Sequence, residues 1–141
     1  MSFNNIYQIA GSGMNAQIIR LNTIASNLAN AESPAASAEL AYKARRPVFA
    51  EVYQANHLMN NRAMAGARVQ VLDVVEAGGT VQRYEPGNPL ANANGYVFYP
   101  DINTVEETAD MMSASRNFET NVEVLNSIKS MQQSLLKLGE A

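Results

Sequence analysis

The sequence predicts a mainly helical protein with a small β region in the middle of the chain. Apolar residues recur at steps of three and four near both ends, β-prone runs separated by turn residues fill the middle, and only 16% of the 141 residues are charged. Two such terminal stripes most simply pair as an antiparallel coiled coil, with a short β-hairpin and an extended arm between them. The expected division is one helix in residues 1–32, the arm and β-rich middle in 33–103, and the second helix in 104–141, with both helices in one domain.

The first helix combines an apolar stripe with an almost complete lack of charge. Arg20 is the one charged side chain in residues 1–30, and most other polar residues there are asparagine or glutamine. The predicted stripe consists of Tyr7, Ala10, Met14, Gln17, Leu21, Ile24 and Leu28. A second stripe beside it consists of Ile6, Ile9, Gly13 and Ala16. A helix that is apolar on more than one face is buried on more than one side, which favours an assembly protein over an enzyme. Ser33 and Pro34 end this helix.

The second helix begins near residue 104 and runs almost to the end of the chain. Thr104 and Glu107 have the spacing of a capping box, and Gly139 is a natural stop. Its predicted stripe consists of Ala114, Phe118, Val122, Leu125, Ile128, Met131, Leu135 and Leu138. A helix of this length spans roughly 50 Å, which is more than a small compact domain needs.

The middle of the chain carries strand and turn signals. Residues 48–53 and 69–75 are β-prone, and Gly78 and Gly79 supply a turn into residues 80–84, which predicts a hairpin of the last two runs. Residues 85–89 and 94–95 are turns, with a positive φ expected at Gly95, and residues 97–99 are extended.

The remaining segments of the middle are predicted to be irregular. Residues 31–47 form a loop or arm with a basic patch of Lys43, Arg45 and Arg46, which is either a solvated loop or a docking point for an acidic neighbour. Residues 54–67 form a second loop, and it contains His57.

The residue content argues against catalysis, cofactors and metal sites. The chain has no cysteine, and its single histidine, His57, lies in a predicted loop. Glu106 and Glu107 are adjacent, so a helix directs them apart. A net charge of −3 excludes nucleic acid as the expected partner, and no stretch is apolar enough for direct membrane insertion. The N-terminus also lacks the pattern of a cleaved secretory signal.

Three other interpretations stay open from the pattern alone. The two stripes also suit the core of an ordinary helical hairpin. A membrane-surface amphipathic protein would need a polar face rich in lysine and arginine, and the first helix has only Arg20. A small helical hydrolase would need His57 beside a nucleophile.

Residues 25–31, with the sequence Ala-Ser-Asn-Leu-Ala-Asn-Ala, resemble the N-terminal signature of the flagellar rod and hook family of axial proteins. In that family an Asn-x-Ala-Asn run closes the first helix. The chain departs from the family pattern at Ser33, where threonine is common, at Ala41, which replaces glycine, and at Tyr42, where the tyrosine is delayed. Residues 112–118 and 121–126 resemble the C-terminal helix of one rod subunit. A central motif resembles the same subunit and includes Tyr84, Glu85, Pro86, Gly87, Asn88, Pro89, Asn94, Gly95 and Tyr96.

The resemblance implies a structural subunit of the flagellar basal-body proximal rod. Such subunits polymerise into a hollow drive shaft that crosses the periplasm, transmits motor torque and conducts exported flagellar proteins. The implied partners are other copies of the chain, the related rod proteins FlgB, FlgF, FlgG and FliE, and the flagellar type III export apparatus, with no cleaved signal. The candidate assembly residues are Tyr7, Ala10, Met14, Leu21, Ile24, Asn27, Leu28, Asn30, Phe118, Val122, Leu125, Ile128 and Leu135.

The pattern also leads to an expectation for the free chain. A lone chain is expected to cover one face of the first helix with the second helix, and to leave the other face for neighbouring subunits. Isolated helices are marginal in water. The first 30 or so residues, together with the last turns of the second helix, are therefore expected to be disordered until assembly.

Overall fold

The computed structural model describes residues 3–53 and 67–139. The elements in chain order are α1 (Phe3–Asn30), β1 (Arg45–Tyr53), β2 (Ala67–Glu76), β3 (Thr80–Tyr84), β4 (Tyr96–Pro100) and α2 (Thr104–Gly139). The predicted class, mainly helical with a small β region, is confirmed. His57 and the predicted loop at 54–67 lie outside the described residues, apart from Ala67, which begins β2.

The two helices lie antiparallel along one another, as the stripes predict. Near one end the Tyr7 hydroxyl donates to Gln132 Oε1 at 3.3 Å. Further along, Arg20 Nη2 forms an ion pair with Asp110 Oδ1 at 3.1 Å. Increasing numbers in α1 therefore meet decreasing numbers in α2. We call this contact the α1–α2 seam.

A two-stranded ribbon of β1 and β2 covers a second face of α1. The strands pair antiparallel from Arg45 with Glu76 to Tyr53 with Ala67. Both strands contact α1, and the Val69 N–H donates to Ser12 Oγ at 3.1 Å. The ribbon therefore covers a face of α1 in addition to the one that α2 covers, and the disorder expected of the free chain stays a prediction. Periodicity gave the width of the apolar face, but it could not show that a distant ribbon folds back onto it.

The strand pairing differs from the predicted hairpin of residues 69–75 with 80–84. That hairpin is wrong, because β2 pairs with β1 and β3 pairs with β4 in separate sheets. The Ala77 N–H donates to the Ala44 carbonyl at 2.7 Å and closes the ribbon. The Asp101 N–H donates to the Gly79 carbonyl at 3.1 Å and joins the start of β3 to the end of β4. Gly78, with φ of 135°, separates two sheets instead of closing one hairpin.

The start of α2 also differs from the predicted capping box. Asn103 is the N-cap, because its Oδ1 accepts hydrogen bonds from the N–H groups of Val105 at 3.1 Å and Glu106 at 3.3 Å. Thr104 is already inside the helix, and the side chain of Glu107 is buried. The capping box is wrong because Glu107 has a better partner across the α1–α2 seam, described below.

The arm between α1 and β1 is held at both ends. Ala35 exchanges two backbone hydrogen bonds with Phe98 of β4, at 2.8 and 3.0 Å. Arg45 and Arg46, which were expected in a loop, instead begin β1. Together with Lys43 they are exposed, so in the single chain the basic patch faces solvent.

Candidate assembly surface

One face of α1 is covered neither by α2 nor by the ribbon. Its residues recur at steps of four and three along the whole helix, and none is charged. We call this face the open stripe, and it consists of Asn4, Gln8, Gly11, Asn15, Ile18, Asn22, Ala25 and Ala29. All of these residues except the half-buried Gly11 are exposed. The sequence shows their lack of charge, but their shared face follows only from where α2 and the ribbon lie.

The composition of the open stripe is unlike that of a helix face in contact with water. The outer face of α2 is the ordinary case, since it carries Arg116, Glu119, Glu123 and Lys129, all exposed. The open stripe instead presents amides and small residues, with Ile18 at 43% exposure. Amides hydrogen-bond within a contact without the desolvation cost of a charge. This face is therefore suited to a protein contact.

Gly11 supports the same interpretation. A glycine inside a helix costs about 1 kcal/mol relative to alanine. A Cβ at Gly13 would lie 3.3 Å from Asn121 Nδ2, so packing inside the chain favours that glycine. A Cβ at Gly11 would meet no atom within 4 Å among the residues that the structure describes. Among the described residues nothing requires glycine at position 11, and close approach of another backbone is one use that a glycine on a helix face allows.

The end of α2 presents a second face that is not covered within the chain. Val124, Met131, Leu135 and Leu138 are exposed and are spaced at steps that keep them near one face. We call these four residues the tip stripe. Ile128 lies between them in sequence but is only 3% exposed, because it turns into the α1–α2 seam. Single exposed apolar residues are normal, whereas a row of them marks a contact site.

The predicted assembly residues fall mostly inside the chain. Four of them are buried: Ala10, Ile24, Asn27 and Ile128. Eight are half-buried: Tyr7, Met14, Leu21, Leu28, Asn30, Phe118, Val122 and Leu125. Leu135, at 55% exposure, belongs to the tip stripe. The apolar stripe of the sequence therefore marks the α1–α2 seam of one chain. The open stripe was missed, although its uncharged 3–4 spacing is visible in the sequence.

Asn27, which is 1% exposed, is the centre of a buried polar cluster. Its Nδ2 donates to the Arg45 carbonyl at 2.9 Å and to Glu107 Oε2 at 3.1 Å. Its Oδ1 accepts from the Arg45 N–H at 2.8 Å and from the Tyr42 hydroxyl at 3.0 Å. All four hydrogen-bonding positions of the amide are thus used. We call Asn27, Tyr42, Arg45 and Glu107 the Asn27 hub.

The Asn27 hub joins four parts of the chain at one point: α1, the arm, β1 and α2. Burial raises the pKa of the Tyr42 hydroxyl above its ordinary value of 10.0, while the Arg45 guanidinium, 5.7 Å from the ring, opposes this. Tyr42 therefore keeps its proton at neutral pH, and its hydroxyl donates a hydrogen bond to Asn27 Oδ1. Asn30, the other asparagine of the motif, donates only to the Ser26 carbonyl of its own helix at 2.8 Å. The two asparagines of one motif thus have different roles.

The central motif forms the connection between β3 and β4. Gly95 has φ of 80°, which confirms the expected positive φ, and a Cβ there would lie 2.8 Å from Tyr84 Cε2. The rings of Tyr84 and Tyr96 meet edge to face, with centroids 5.3 Å apart. Glu85 accepts hydrogen bonds from the Tyr99 hydroxyl and from Asn88 Nδ2, both between 3.0 and 3.2 Å. Within one chain the motif therefore builds a turn.

Within residues 3–53 and 67–139, no helix is both long and apolar enough to cross a membrane.

Comparison with known proteins gives matches at both ends of the chain and over its whole length. A family model described as flagella basal body rod protein matches residues 8–34, which contain most of α1. A model described as flagellar basal body rod FlgEFG protein C-terminal matches residues 93–138, which contain β4 and nearly all of α2.

Three relatives illustrate the full-length similarity. The flagellar basal-body rod protein FlgC of Escherichia coli O157:H7 is 46% identical, with 99% of this chain and 100% of the relative covered. FlgC of Salmonella typhimurium is 45% identical at the same coverage. FlgC of Aquifex aeolicus is 38% identical, with 92% of this chain and 91% of the relative covered.

Proposed function

The chain belongs to the FlgC family of flagellar basal-body rod proteins, and we propose that it packs into the rod through its open stripe and its tip stripe. As a family member it is a structural subunit of the flagellar basal-body rod. The proposed role is mechanical: the subunit polymerises with other rod proteins into a hollow shaft that carries torque and conducts exported proteins.

The uncharged open stripe is the observation that carries this proposal. A stable protein contact excludes water from the groups at its centre, and a buried unpaired charge costs several kcal/mol. A face without charge along the whole of α1 avoids that cost at every position. A monomeric protein gains nothing from such a face, because exposed charges there would only improve solubility.

The positions of the two stripes suit a shaft. Because α1 and α2 are antiparallel, the tip stripe lies at the same end of the helix pair as Asn4 and Gln8 of the open stripe. The two stripes differ from one another, so a contact between them is heterologous. Heterologous contacts repeat along a helix and build a filament, whereas two-fold contacts stop at a dimer.

Related rod subunits are the proposed neighbours of this chain. The match of residues 93–138 to a C-terminal model shared among rod proteins supports this, because helices of one type can occupy equivalent places in one shaft. We name FlgB, FlgF, FlgG and FliE, together with further copies of the chain, as the proposed neighbours. The proposed location is the periplasmic part of the basal body, reached through the flagellar type III export apparatus without a cleaved signal.

A charge placed on the open stripe tests the proposal. Ile18→Glu puts a carboxylate in the middle of the stripe, at a position that is already exposed in the single chain. Asn126→Glu is the matched control, because it adds the same charge at an exposed position of α2 between the charged residues Glu123 and Lys129. Each tagged variant is expressed in a strain that lacks its own copy. We expect Ile18→Glu to abolish swimming and to be absent from isolated basal bodies, whereas Asn126→Glu swims.

Thermal unfolding of both purified variants separates assembly from folding. Both should unfold within a few degrees of the unmodified chain, because surface substitutions change stability by about 0.5 kcal/mol or less. A swimming strain that carries Ile18→Glu in its basal bodies would refute the assembly role of the open stripe.

A further inference from the structure

The outer edge of β3 is an unused strand edge. In the pair of β3 with β4, Gln82 lies opposite Phe98 and Arg83 lies opposite Val97. Phe98 directs its N–H and C=O away from β3, because both bond to Ala35. In an antiparallel pair, the residue opposite such a position also directs its backbone groups outward. Gln82 therefore presents a free N–H and C=O at the outer edge. Because the backbone direction repeats every two residues along a strand, Thr80 and Tyr84 present theirs at the same edge.

The opposite edge of this sheet is closed. On β4, Phe98 exchanges hydrogen bonds with Ala35, and the Tyr96 N–H donates to Asn92 Oδ1 at 3.0 Å. The Tyr96 carbonyl accepts from the Asn92 N–H at 2.9 Å. Pro100, the next outward residue, has no N–H to offer. Each outward N–H of β4 is thus either bonded or absent.

The first part of the outer edge of β1 is protected by the Asn27 hub and by a proline. Arg45 faces outward, and the Asn27 side-chain amide pairs with both its N–H and its C=O, as a neighbouring strand would. Two residues further on, Pro47 faces outward and has no N–H. A proline on a strand edge discourages pairing with another chain.

The outer edge of β2 is protected at two positions by side chains. The Val69 N–H donates to Ser12 Oγ of α1 at 3.1 Å. The Val74 N–H donates to Asp73 Oδ1 at 2.7 Å. Three of the four strand edges in the described residues therefore carry a protecting device. On β3, the described residues supply no hydrogen-bond partner for the outward groups of Thr80, Gln82 and Tyr84.

We propose that the outer edge of β3 accepts an extended strand from a different rod subunit, an inference that rests on the proposed function. Strand addition to a free edge is a general mode of protein recognition, in which main-chain hydrogen bonds give affinity. Three outward residues can exchange about six hydrogen bonds with an antiparallel partner. Val81 and Tyr84 are exposed beside this edge and would flank the incoming strand.

The charge of this edge defines the incoming strand. Arg83 is the one charged residue of β3, and its guanidinium is already paired with Glu32 at 3.0 Å and lies 4.4 Å from the centre of the Tyr99 ring. The edge is therefore close to neutral, and it fits a neutral strand with β-branched or aromatic residues beside Val81 and Tyr84.

A different chain is a better donor than a second copy. Among the strands that the structure describes, β3 is the one whose outer edge carries no protecting device, and pairing through this same edge of a second copy would join β3 with β3. That pairing is two-fold about Gln82, and a two-fold contact cannot repeat along a shaft with a single polarity. A strand from another type of subunit avoids this conflict.

Gln82→Pro tests the proposal directly. It removes the outward N–H while leaving the hydrogen bonds between β3 and β4, to which Gln82 does not contribute. Gln82→Ala is the matched control, because it shortens the same side chain and keeps the N–H. We expect incorporation of Gln82→Pro into basal bodies to fall about tenfold or more, since a decade corresponds to about 1.4 kcal/mol, the order of one or two net hydrogen bonds. Gln82→Ala should incorporate normally, and normal incorporation of Gln82→Pro would overturn the proposal.

Photo-cross-linking keeps the proposal testable if Gln82→Pro unfolds. The photoreactive amino acid p-benzoylphenylalanine is placed at position 82 in a strain whose basal bodies assemble. We expect an adduct between this chain and a different rod protein. An adduct with a second copy, or none in assembled basal bodies, would overturn the proposal. Failure of the unmodified chain to enter basal bodies at all would instead refute the proposed function.

Discussion

Replacing Asn27 with alanine should destabilise the free chain by about 3 kcal/mol, because one buried amide holds four hydrogen bonds. The bond to the Glu107 carboxylate is of the charged kind, worth about 1.5–3 kcal/mol, and the three others are worth about 0.5–1.5 kcal/mol each. The hydrogen bonds to the Tyr42 hydroxyl and to the Arg45 backbone are only partly buried, so these partners can regain water. Glu107, at 6% exposure, cannot, so its carboxylate is left without that partner.

Urea unfolding of the purified chain measures this effect. A loss of about 3 kcal/mol is a large part of the roughly 5–15 kcal/mol that stabilises an ordinary domain. With a slope of about 1–3 kcal/mol per molar urea, the unfolding midpoint should fall by about 1–3 M. Asn30→Ala is the matched control, because that asparagine bonds only to its own helix. Its change should stay within about 0.5 kcal/mol.

The Asn27 hub would be refuted as a stabilising site if Asn27→Ala lowered the midpoint no more than Asn30→Ala does. A second comparison tests the direction of the bond to Glu107. Asn27→Asp brings two carboxylates together, since the present N···O distance is 3.1 Å. Adding Glu107→Gln restores a donor between the two positions. The double variant should therefore be more stable than Asn27→Asp alone.

The remaining predictions concern the central turn, the α1–α2 seam and the response to pH. Gly95→Val should destabilise the chain by about 2 kcal/mol or more, because φ is 80° and a Cβ there would lie 2.8 Å from a tyrosine ring. Ala93→Val, at an exposed position of the same turn, should be close to neutral. Equal melting temperatures of the two variants would contradict this prediction. Leu21→Asp should lower the free energy of unfolding, measured in urea, by several kcal/mol and should block rod assembly. Lys137→Ala, at an exposed position, should change both only slightly. A motile strain with normally expressed Leu21→Asp would contradict the placement of Leu21 in the α1–α2 seam. Burial and the hydrogen bond to a glutamate raise the pKa of Tyr99 above 10.0, so the folded chain holds this proton more tightly than the unfolded chain does. The contribution of Tyr99 to the free energy of unfolding should be constant below about pH 10 and decline above it. Tyr99→Phe should therefore reduce the loss of unfolding free energy between about pH 9 and pH 11, and an unchanged loss would contradict the assignment.

Local chemistry in the sequence was enough to place the helices. Ser33 and Pro34 follow the observed end of α1 at Asn30, and the stripe of α2 runs to its observed end at Gly139. The Asn94–Gly95 pair was enough to predict a positive φ. These features depend on neighbours within a few positions in the chain, which a sequence displays directly.

The sequence did not reveal which strand pairs with which. A period of two identifies a strand and its faces, but it carries no information on its partner. Gly78 and Gly79 suit a hairpin turn, yet the chain uses them to leave one sheet and enter another. The strand pairing is accompanied by hydrogen bonds of the arm, in which the Ala44 backbone bonds to Ala77 and the Ala35 backbone bonds to Phe98. No local sequence pattern marks either alanine as a contact residue.

The sequence by itself determined an uncharged first helix with several apolar faces, and hence a protein built for contact. Only the tertiary structure decided which face of this uncharged helix is left over. The ribbon covers one, α2 covers another, and the open stripe is the remainder. In the same way, the motif showed that Asn27 matters, but its bond to Glu107 joins residues 80 positions apart. Such partners are fixed by the path of the whole chain, because a hydrogen bond depends on distance in space and not on spacing in sequence.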